Sequence, residues 1–476
     1  MPGTRKTALP WGRATAVRVA AVALWLVVWQ VGSVALAQPL ILPGPLEVLS
    51  ALAGLVRAPG FWSKVGFSLA RIVGGCALAY AVAGLLAWAS AASRAVRVAL
   101  RPPLVAIKST PVACVVVLLL IWLGAENVSL AAVFLMALPG VYFALVEGLD
   151  RVDGRLAELL RVSGVRGLRR WLALTWPGVL PFLVAASEVV VGMSWKAGVA
   201  AELIGTPMGS IGERIYQAKL LLDTAGLFAW TIVVIALATV CEHGFLALLR
   251  ASGRASVRLA VRLRPRGGER RTEVSGVHAR GIVLAHGAAG GQPLFLDVPA
   301  GGRLCVMGPS GEGKTTLLRT LCGLDVPVAG QVELPGADGR PVRLAVDFQD
   351  SRLVEAASAF ENVALTADAS CPDGSIRALL ADAIPGLDAH VPVSELSGGQ
   401  RRRVELVRAL VAPGSAVLLD EPFSGLDARS HEHACTLVRR ELHGRTLVVA
   451  THDERDAGLL GAEVLRIEDC DLSELI

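Results

Sequence analysis

Residues 308–315 read GPSGEGKT, with the apolar run LCVM before them and the helix-forming stretch TTLLRTL overlapping their end. Glycines at this spacing let backbone N–H groups curl around phosphate oxygens. In such a loop Lys314 would reach the β- and γ-phosphates of a nucleotide, and the Thr315 hydroxyl would ligate Mg²⁺. Residues 416–422 read AVLLDEP, an apolar strand that ends in two acids. Phosphoryl transfer needs a carboxylate to hold metal and a second group to orient the attacking water, and Asp420 and Glu421 supply one of each. Two acids at a strand end could be an ordinary solvated loop; the phosphate loop upstream favours the chemical reading.

These residues need a scaffold that brings distant stretches together. From about residue 272 short β-type runs (303–307, 416–419, 446–450) alternate with helical stretches, the layout of an α/β domain with a parallel sheet. Residues 396–400 read LSGGQ, and with them this part of the chain resembles the ATP-binding cassette (ABC) ATPases over 280–476. Further landmarks follow the family's order. Gln349 in DFQD resembles the Q-loop glutamine, residues 424–427 (SGLD) the D-loop, and His452 in ATHD the switch histidine. The resemblance implies an α/β P-loop NTPase domain working as a head-to-tail pair, with two ATP molecules and Mg²⁺ held between the cassettes.

The same resemblance implies residue roles. Gly308, Pro309, Ser310, Gly311, Gly313, Lys314, Thr315, Thr316 and Asp420 would hold ATP from one side. Ser397, Gly398, Gly399 and Gln400 of the other cassette, with Asp427 of the D-loop, would complete the site. Mg²⁺ would sit on Thr315, Gln349 and Asp420, and hydrolysis would fall to Glu421, His452 and Gln349. The family often stacks an aromatic ring on adenine ahead of the cassette's first strands, and His286 is the nearest candidate.

The rest of the chain is a different material. Hydrophobic residues make up 53% of the 476, too many for an ordinary soluble protein. Up to Arg271 there are 28 Lys+Arg against 12 Asp+Glu, and after it 18 against 29, so a basic part precedes an acidic one. The acidic part argues against nucleic acid as a partner, and the basic part suits anionic lipid headgroups. Apolar stretches at 16–37, 65–89, 103–123, 129–147, 174–203 and 225–249 predict about six helical spans through a bilayer. Pro111, Pro177 and Pro181 predict kinks or re-entrant geometry. Arginines and lysines collect before the first span and after the second, fourth and sixth, which places both termini and the cassette in the cytoplasm. A cleaved secretory signal is disfavoured, because the first apolar stretch is long and further spans follow. The eight cysteines are scattered without a CxxC pair and read as reduced, mostly buried small residues.

The expected organisation is a transmembrane permease domain at 1–249, a basic linker at 250–275 and an ABC domain at 276–476. Within the basic loop after the fourth span, Glu158, Gly164, Leu174 and Pro177 fit the spacing of the coupling motif of ABC importer permeases. A helix at 156–162, a turn at Gly164 and a second helix at 168–174 are expected to dock on the acidic cassette near 349–360. The arginines here would need carboxylates, and the competing reading is an amphipathic helix lying on lipid. Residues 66–75, 109–113 and 194–205 (GFSLARIVGG, STPVA, SWKAGVAAELIG) resemble permeases of the nitrate, sulfonate and taurine uptake group, over most of 40–250. In that group permease and ATPase are usually separate chains; here they are fused, which implies a homodimer fed by an extracytoplasmic solute-binding protein. Glu188 and Lys196, on one face of the fifth span, mark either a translocation path or a structural ion pair. An exporter half-transporter, or a membrane-anchored ATPase without transport, are the alternatives that the coupling motif and the intramembrane charges disfavour.

Overall fold

The computed structural model describes residues 11–265, 276–286, 292–309, 311–334 and 343–467. It divides into two compact units, one of Met1–Asp150 with Pro181–Leu249 and one of Arg151–Leu180 with Arg250–Ile476. In chain order the first helices are α1 (Trp11–Leu36), α2 (Pro45–Arg57), α3 (Phe61–Ala92), α4 (Arg94–Ser109), α5 (Val112–Leu123) and α6 (Val128–Asp150). Then come α7 (Gly154–Val162), α8 (Gly167–Arg170), a π turn over Trp171–Thr175, α9 (Trp176–Gly205), α10 (Ile211–Leu220) and α11 (Thr224–Arg262). Five of the described helical segments are long and apolar enough to cross a bilayer, six when α4 and α5 count together.

The first unit is helical because its runs are too apolar to leave backbone polar groups unpaired in lipid. The prolines act differently from one another. Thr110, forced extended by the following Pro111, ends α4, and α5 leaves at 104°, so the expected third span is a broken one. Pro139 and Pro181 sit inside α6 and α9, which run on through them. The core depends on close backbone approach. A Cβ on Gly75 of α3 would lie 2.5 Å from the Leu130 carbonyl oxygen of α6, and one on Gly198 of α9 would lie 2.6 Å from Ile72.

Burial separates the charged residues of α9. Glu188 and Lys196 are both exposed, on the same stripe as Pro181, Ala185 and Met193. The buried acid is Glu202, with none of its surface open to solvent. Its Oε2 accepts from the Ser68 hydroxyl at 2.7 Å and the Gly212 N–H at 3.1 Å, and Ser68 in turn accepts from the Ile211 N–H. One carboxylate thereby ties α3, α9 and the first turn of α10 together.

The second unit is the cassette with two additions. Its strands are β1 (Val277–Val283), β2 (Leu294–Val298), β3 (Arg303–Met307), β4 (Ala329–Glu333), β5 (Leu344–Asp347), β6 (Ala416–Asp420), β7 (Thr446–Thr451) and β8 (Glu463–Arg466). A parallel sheet runs β5-β6-β7-β3-β8, and an antiparallel sheet runs β2-β1-β4. The helices are α12 (Lys314–Leu321), α13 (Ala359–Thr366), α14 (Asp373–Ala383), α15 (Gly398–Val411), α16 (Ala428–Glu441) and α17 (Glu454–Leu460). Strands β6 and β7 are buried along their whole length, as central parallel strands covered on both faces must be.

The first addition is α7, α8 and the π turn, whose Leu156, Leu159, Leu160, Leu172 and Leu174 belong to the cassette's own core. The second is the stretch expected as a linker. Residues 250–262 continue α11, and Val257, Ala260 and Val261, spaced for one helix face, are buried in that core. Arg258 pairs with Glu361 at 2.9 Å and Arg264 with Asp373 at 2.6 Å, so the basic residues meet protein carboxylates. Residues 266–275 of that stretch lie outside the described residues. Of the described cysteines only Cys305 and Cys435 are fully buried and Cys114 is exposed; Cys470 lies outside the described residues.

Candidate functional site

The strand order explains why motifs far apart in sequence meet. In a parallel sheet the carboxyl ends of all strands lie on one edge, and chemistry collects there. Strand β5 delivers Gln349, β6 delivers Asp420 and Glu421, β7 delivers His452, and β3 delivers the phosphate loop that opens α12. These elements enclose a cleft of roughly 530 Å³ lined by Gly311, Gly313, Lys314, Thr315, Thr316, Gln349, Asp420, Glu421, Ser424 and His452.

The loop takes its shape from glycine. Gly311 and Gly313 have φ of +94° and +110°, conformations in which a Cβ would clash with its own backbone. Gly313 caps α12, so the loop's N–H groups and the positive end of the helix face the cleft. The Lys314 ammonium donates to the carbonyls of Gly308 and Pro309. Ser310 lies outside the described residues.

At the end of β6, Asp420 is 1% exposed and neither carboxylate oxygen has a hydrogen-bond partner. Burial pushes its carboxyl above the ordinary range, against the opposing pull of the nearby Thr315 hydroxyl. A buried carboxylate of this kind is costly unless a cation meets it. With Thr315 and Gln349 beside it, the donors are all hard oxygens, the set that Mg²⁺ favours. Glu421 stands in the left-handed region at φ +48°, and its Oε2 is 2.7 Å from Nδ1 of His452.

The residues expected to serve a nucleotide from the opposite side do not line this cleft in their own chain. Ser397 caps α15 and exchanges hydrogen bonds with Gln400; Ser397 and Gly398 are exposed, Gly399 and Gln400 partly so. Asp427 caps α16, accepting from the Ser430 N–H, which holds its carboxyl below the usual range. His286 is exposed, its ring turned to the Ala285 carbonyl, and it is not among the residues lining the cleft.

The coupling segment brings a second set together. Glu158 lies on α7, and its carboxylate meets Arg319 at 2.9 Å and 3.2 Å and Arg352 at 3.1 Å. The hydrogen bonds from Arg319, helped by the charges of Arg319 and Arg352, hold Glu158 below the usual carboxylate range. Arg319 belongs to α12, the helix the phosphate loop opens, and Arg352 follows Gln349 by three residues. The Arg352 guanidinium also lies 3.7 Å from the centre of the Phe348 ring and donates to the Arg155 carbonyl. Arg155 itself reaches Asp350 at 3.2 Å. The docking face therefore includes the expected stretch, Asp350 and Arg352 among it, but the polarity is largely reversed. An acid of the segment is clamped by arginines of the cassette, and Arg169 spends its hydrogen bonds on the carbonyls of Ala260 and Leu365.

Gly164 and Gly167 turn the segment at φ +74° and +57°. Pro177, which lacks an N–H and would press on the carbonyl four residues back, follows the wider π turn. Sequence reasoning missed Arg319, Arg352 and Glu202. Arg319 and Glu202 sit within TTLLRTL and SWKAGVAAELIG and Arg352 just after DFQD, but the residues they meet are far away in the chain.

Comparison with known proteins now bears on both units. Residues 292–424 match the ABC transporter family and residues 64–251 the binding-protein-dependent transport system inner membrane component family. The thiamine import ATP-binding protein ThiQ of Jannaschia sp. is 41% identical over 189 residues, 37% of this chain and 81% of that protein. The chain belongs to the ABC transporter family. The transporter is similar too to the aliphatic sulfonates import ATP-binding protein SsuB 2 of Streptomyces avermitilis, 40% identical over 178 residues covering 37% of this chain and 69% of that one. SsuB of Escherichia coli is 37% identical over 200 residues, 41% of this chain and 75% of its own. The transporter is thus a multi-pass membrane protein of the importer type, with permease and ATP-hydrolysing cassette in one chain.

Proposed function

We propose that the protein takes up a small solute across the cytoplasmic membrane as an ATP-driven homodimer fed by a separate extracytoplasmic solute-binding protein. The observation that carries this reading is the clamp on Glu158, which joins the permease's cytoplasmic elbow to both the phosphate-loop helix and the segment after Gln349. A sulfonate, nitrate or related small anion is the favoured cargo, the sulfonate among these supported by the likeness to aliphatic sulfonates import ATP-binding proteins. Both termini and the cassette face the cytoplasm, a reading supported by the arginine-rich loops and by Arg97 and Asp150, which pair at 2.8 Å after the second and fourth spans.

In this mechanism the loop N–H groups and Lys314 hold the β- and γ-phosphates, while Ser397, Gly398 and Gly399 of the second copy, at a helix N-terminus, donate to the γ-phosphate from across the interface. Thr315, Gln349 and Asp420 would hold Mg²⁺, which when bound neutralises charge on the phosphate oxygens. Glu421 polarises the attacking water and His452 keeps its carboxylate aimed. Cleavage removes the anion shared by the two cassettes, so they part. Movement of α12 and the Gln349 segment then passes through Arg319 and Arg352 to Glu158 and the elbow at Gly164. Glu188 and Lys196 line the translocation path.

Glu421→Gln is the direct test of the ATPase assignment. It is expected to bind ATP, stall turnover and keep the cassettes closed, seen as bound ATP that no longer exchanges; wild-type turnover would remove Glu421 from its role.

A further inference from the structure

A carboxylate that must polarise water needs its backbone fixed, and Glu421 is held in a conformation that non-glycine residues seldom adopt. Its N–H is fixed by the Ala450 carbonyl of β7 at 2.9 Å and its side chain by His452. Its carbonyl side is fixed by a residue no motif names. Arg402, on the second turn of α15, sends Nη2 to the carbonyl oxygens of both Asp420 and Glu421, at 2.5 Å and 2.8 Å. Its Nη1 donates to the Phe348 carbonyl, one residue before Gln349, at 2.7 Å. One planar guanidinium therefore bridges the two segments that carry Gln349, Asp420 and Glu421.

That guanidinium is buried, with 8% of the residue exposed, among other buried charges. Asp347 and Glu405 each approach its Nη1 at 3.5 Å. Glu405 also accepts from the Ser351 hydroxyl and the Arg352 N–H at 2.8 Å and 2.7 Å. Buried charge clusters are poor stabilisers compared with apolar packing, so a network placed directly behind the strained turn calls for another explanation. We propose that Arg402 is a positioning residue for ATP hydrolysis: it fixes the left-handed turn at Glu421 and its register against the Gln349 segment. The inference rests on the reading of Glu421 given above.

Arg402 does not line the nucleotide cleft, so its loss acts on turnover and leaves nucleotide affinity alone. The test uses the full-length transporter in proteoliposomes, with Arg402→Lys, which keeps the charge but replaces the planar two-pronged guanidinium with a single point donor, and Arg402→Gln combined with Asp347→Asn, which removes the carboxylate that would otherwise face the lost guanidinium. Both are expected to keep the Kd for MgATP within about threefold and to lower kcat roughly ten- to a hundredfold, a loss of about 1.4–2.7 kcal/mol in barrier terms. The double variant should lose more than the lysine variant. A kcat at the wild-type level in folded Arg402→Lys, or a fall in kcat matched by a fall in nucleotide affinity, overturns the proposal. Glu421→Gln run alongside separates the two claims: if it too retains turnover, the assignment of Glu421 fails, and if it is inactive while the Arg402 variants are active, only the role of Arg402 fails.

Discussion

Asp420 and Glu158 are two acids whose surroundings give them opposite characters. Asp420 is buried and burial pushes its carboxyl up, so a cation meeting it would relieve the cost of a buried charge. Asp420→Asn is expected to weaken nucleotide binding at least tenfold in Mg²⁺ and to change metal-free binding little, measured by titration with a fluorescent nucleotide. Glu158 is pulled down by Arg319 and Arg352. A carboxyl whose folded value lies below its unfolded value contributes stability above the ordinary carboxylate range, about 4, and loses it as pH falls through the depressed value. The difference in thermal midpoint between the wild type and Glu158→Gln should therefore be constant from pH 8 to about 5 and shrink only in stronger acid. A difference already fading at pH 6 would contradict the assignment. Glu158 was readable from motif spacing, but its partners were not, because an ion pair between residues 161 positions apart leaves no local trace.

At the scale of elements, what sequence revealed depends on how local the signal is. The β3-loop-α12 unit, the strand before Asp420 and the longest apolar helices follow from adjacent residues and were legible. Helices α2 and α10 were not, because they are too short to span a bilayer and lack an uninterrupted apolar run. Nor was the fate of 250–262 legible, since an arginine-rich amphipathic face suits lipid headgroups and protein carboxylates alike, and only the cassette's surface decides. Burial of Glu202 likewise depends on donors from Ser68 and Gly212. Gly75, the last glycine of GFSLARIVGG, acquires a cause in the packing of α3 on α6. Gly75→Leu is expected to destabilise the permease by at least about 1–3 kcal/mol, the range for overpacked cores, seen as a lower melting midpoint in detergent. Gly84→Leu on the same helix, with open space around its position, should leave the midpoint unchanged. Equal effects would mean that the α3–α6 approach is not close.

For the whole molecule, the account joins a permease and a cassette within one chain and supplies the second of each from a second copy. Replacing Glu188 and Lys196 together by Leu is expected to abolish uptake and leave ATP binding intact; uptake at the wild-type rate would take both residues out of the path. The apolar anchoring of α7 is substantial, as full burial of Leu159 and Leu160 is worth about 1.5–3 kcal/mol each. Removing the Glu158 clamp should thus leave the elbow docked but mechanically slack. Uptake and ATP hydrolysis measured side by side in proteoliposomes carrying Glu158→Ala test this most directly. Solute uptake lost while basal hydrolysis persists is the result expected of a broken coupling; uptake and hydrolysis both at wild-type rates would show that Glu158 transmits nothing.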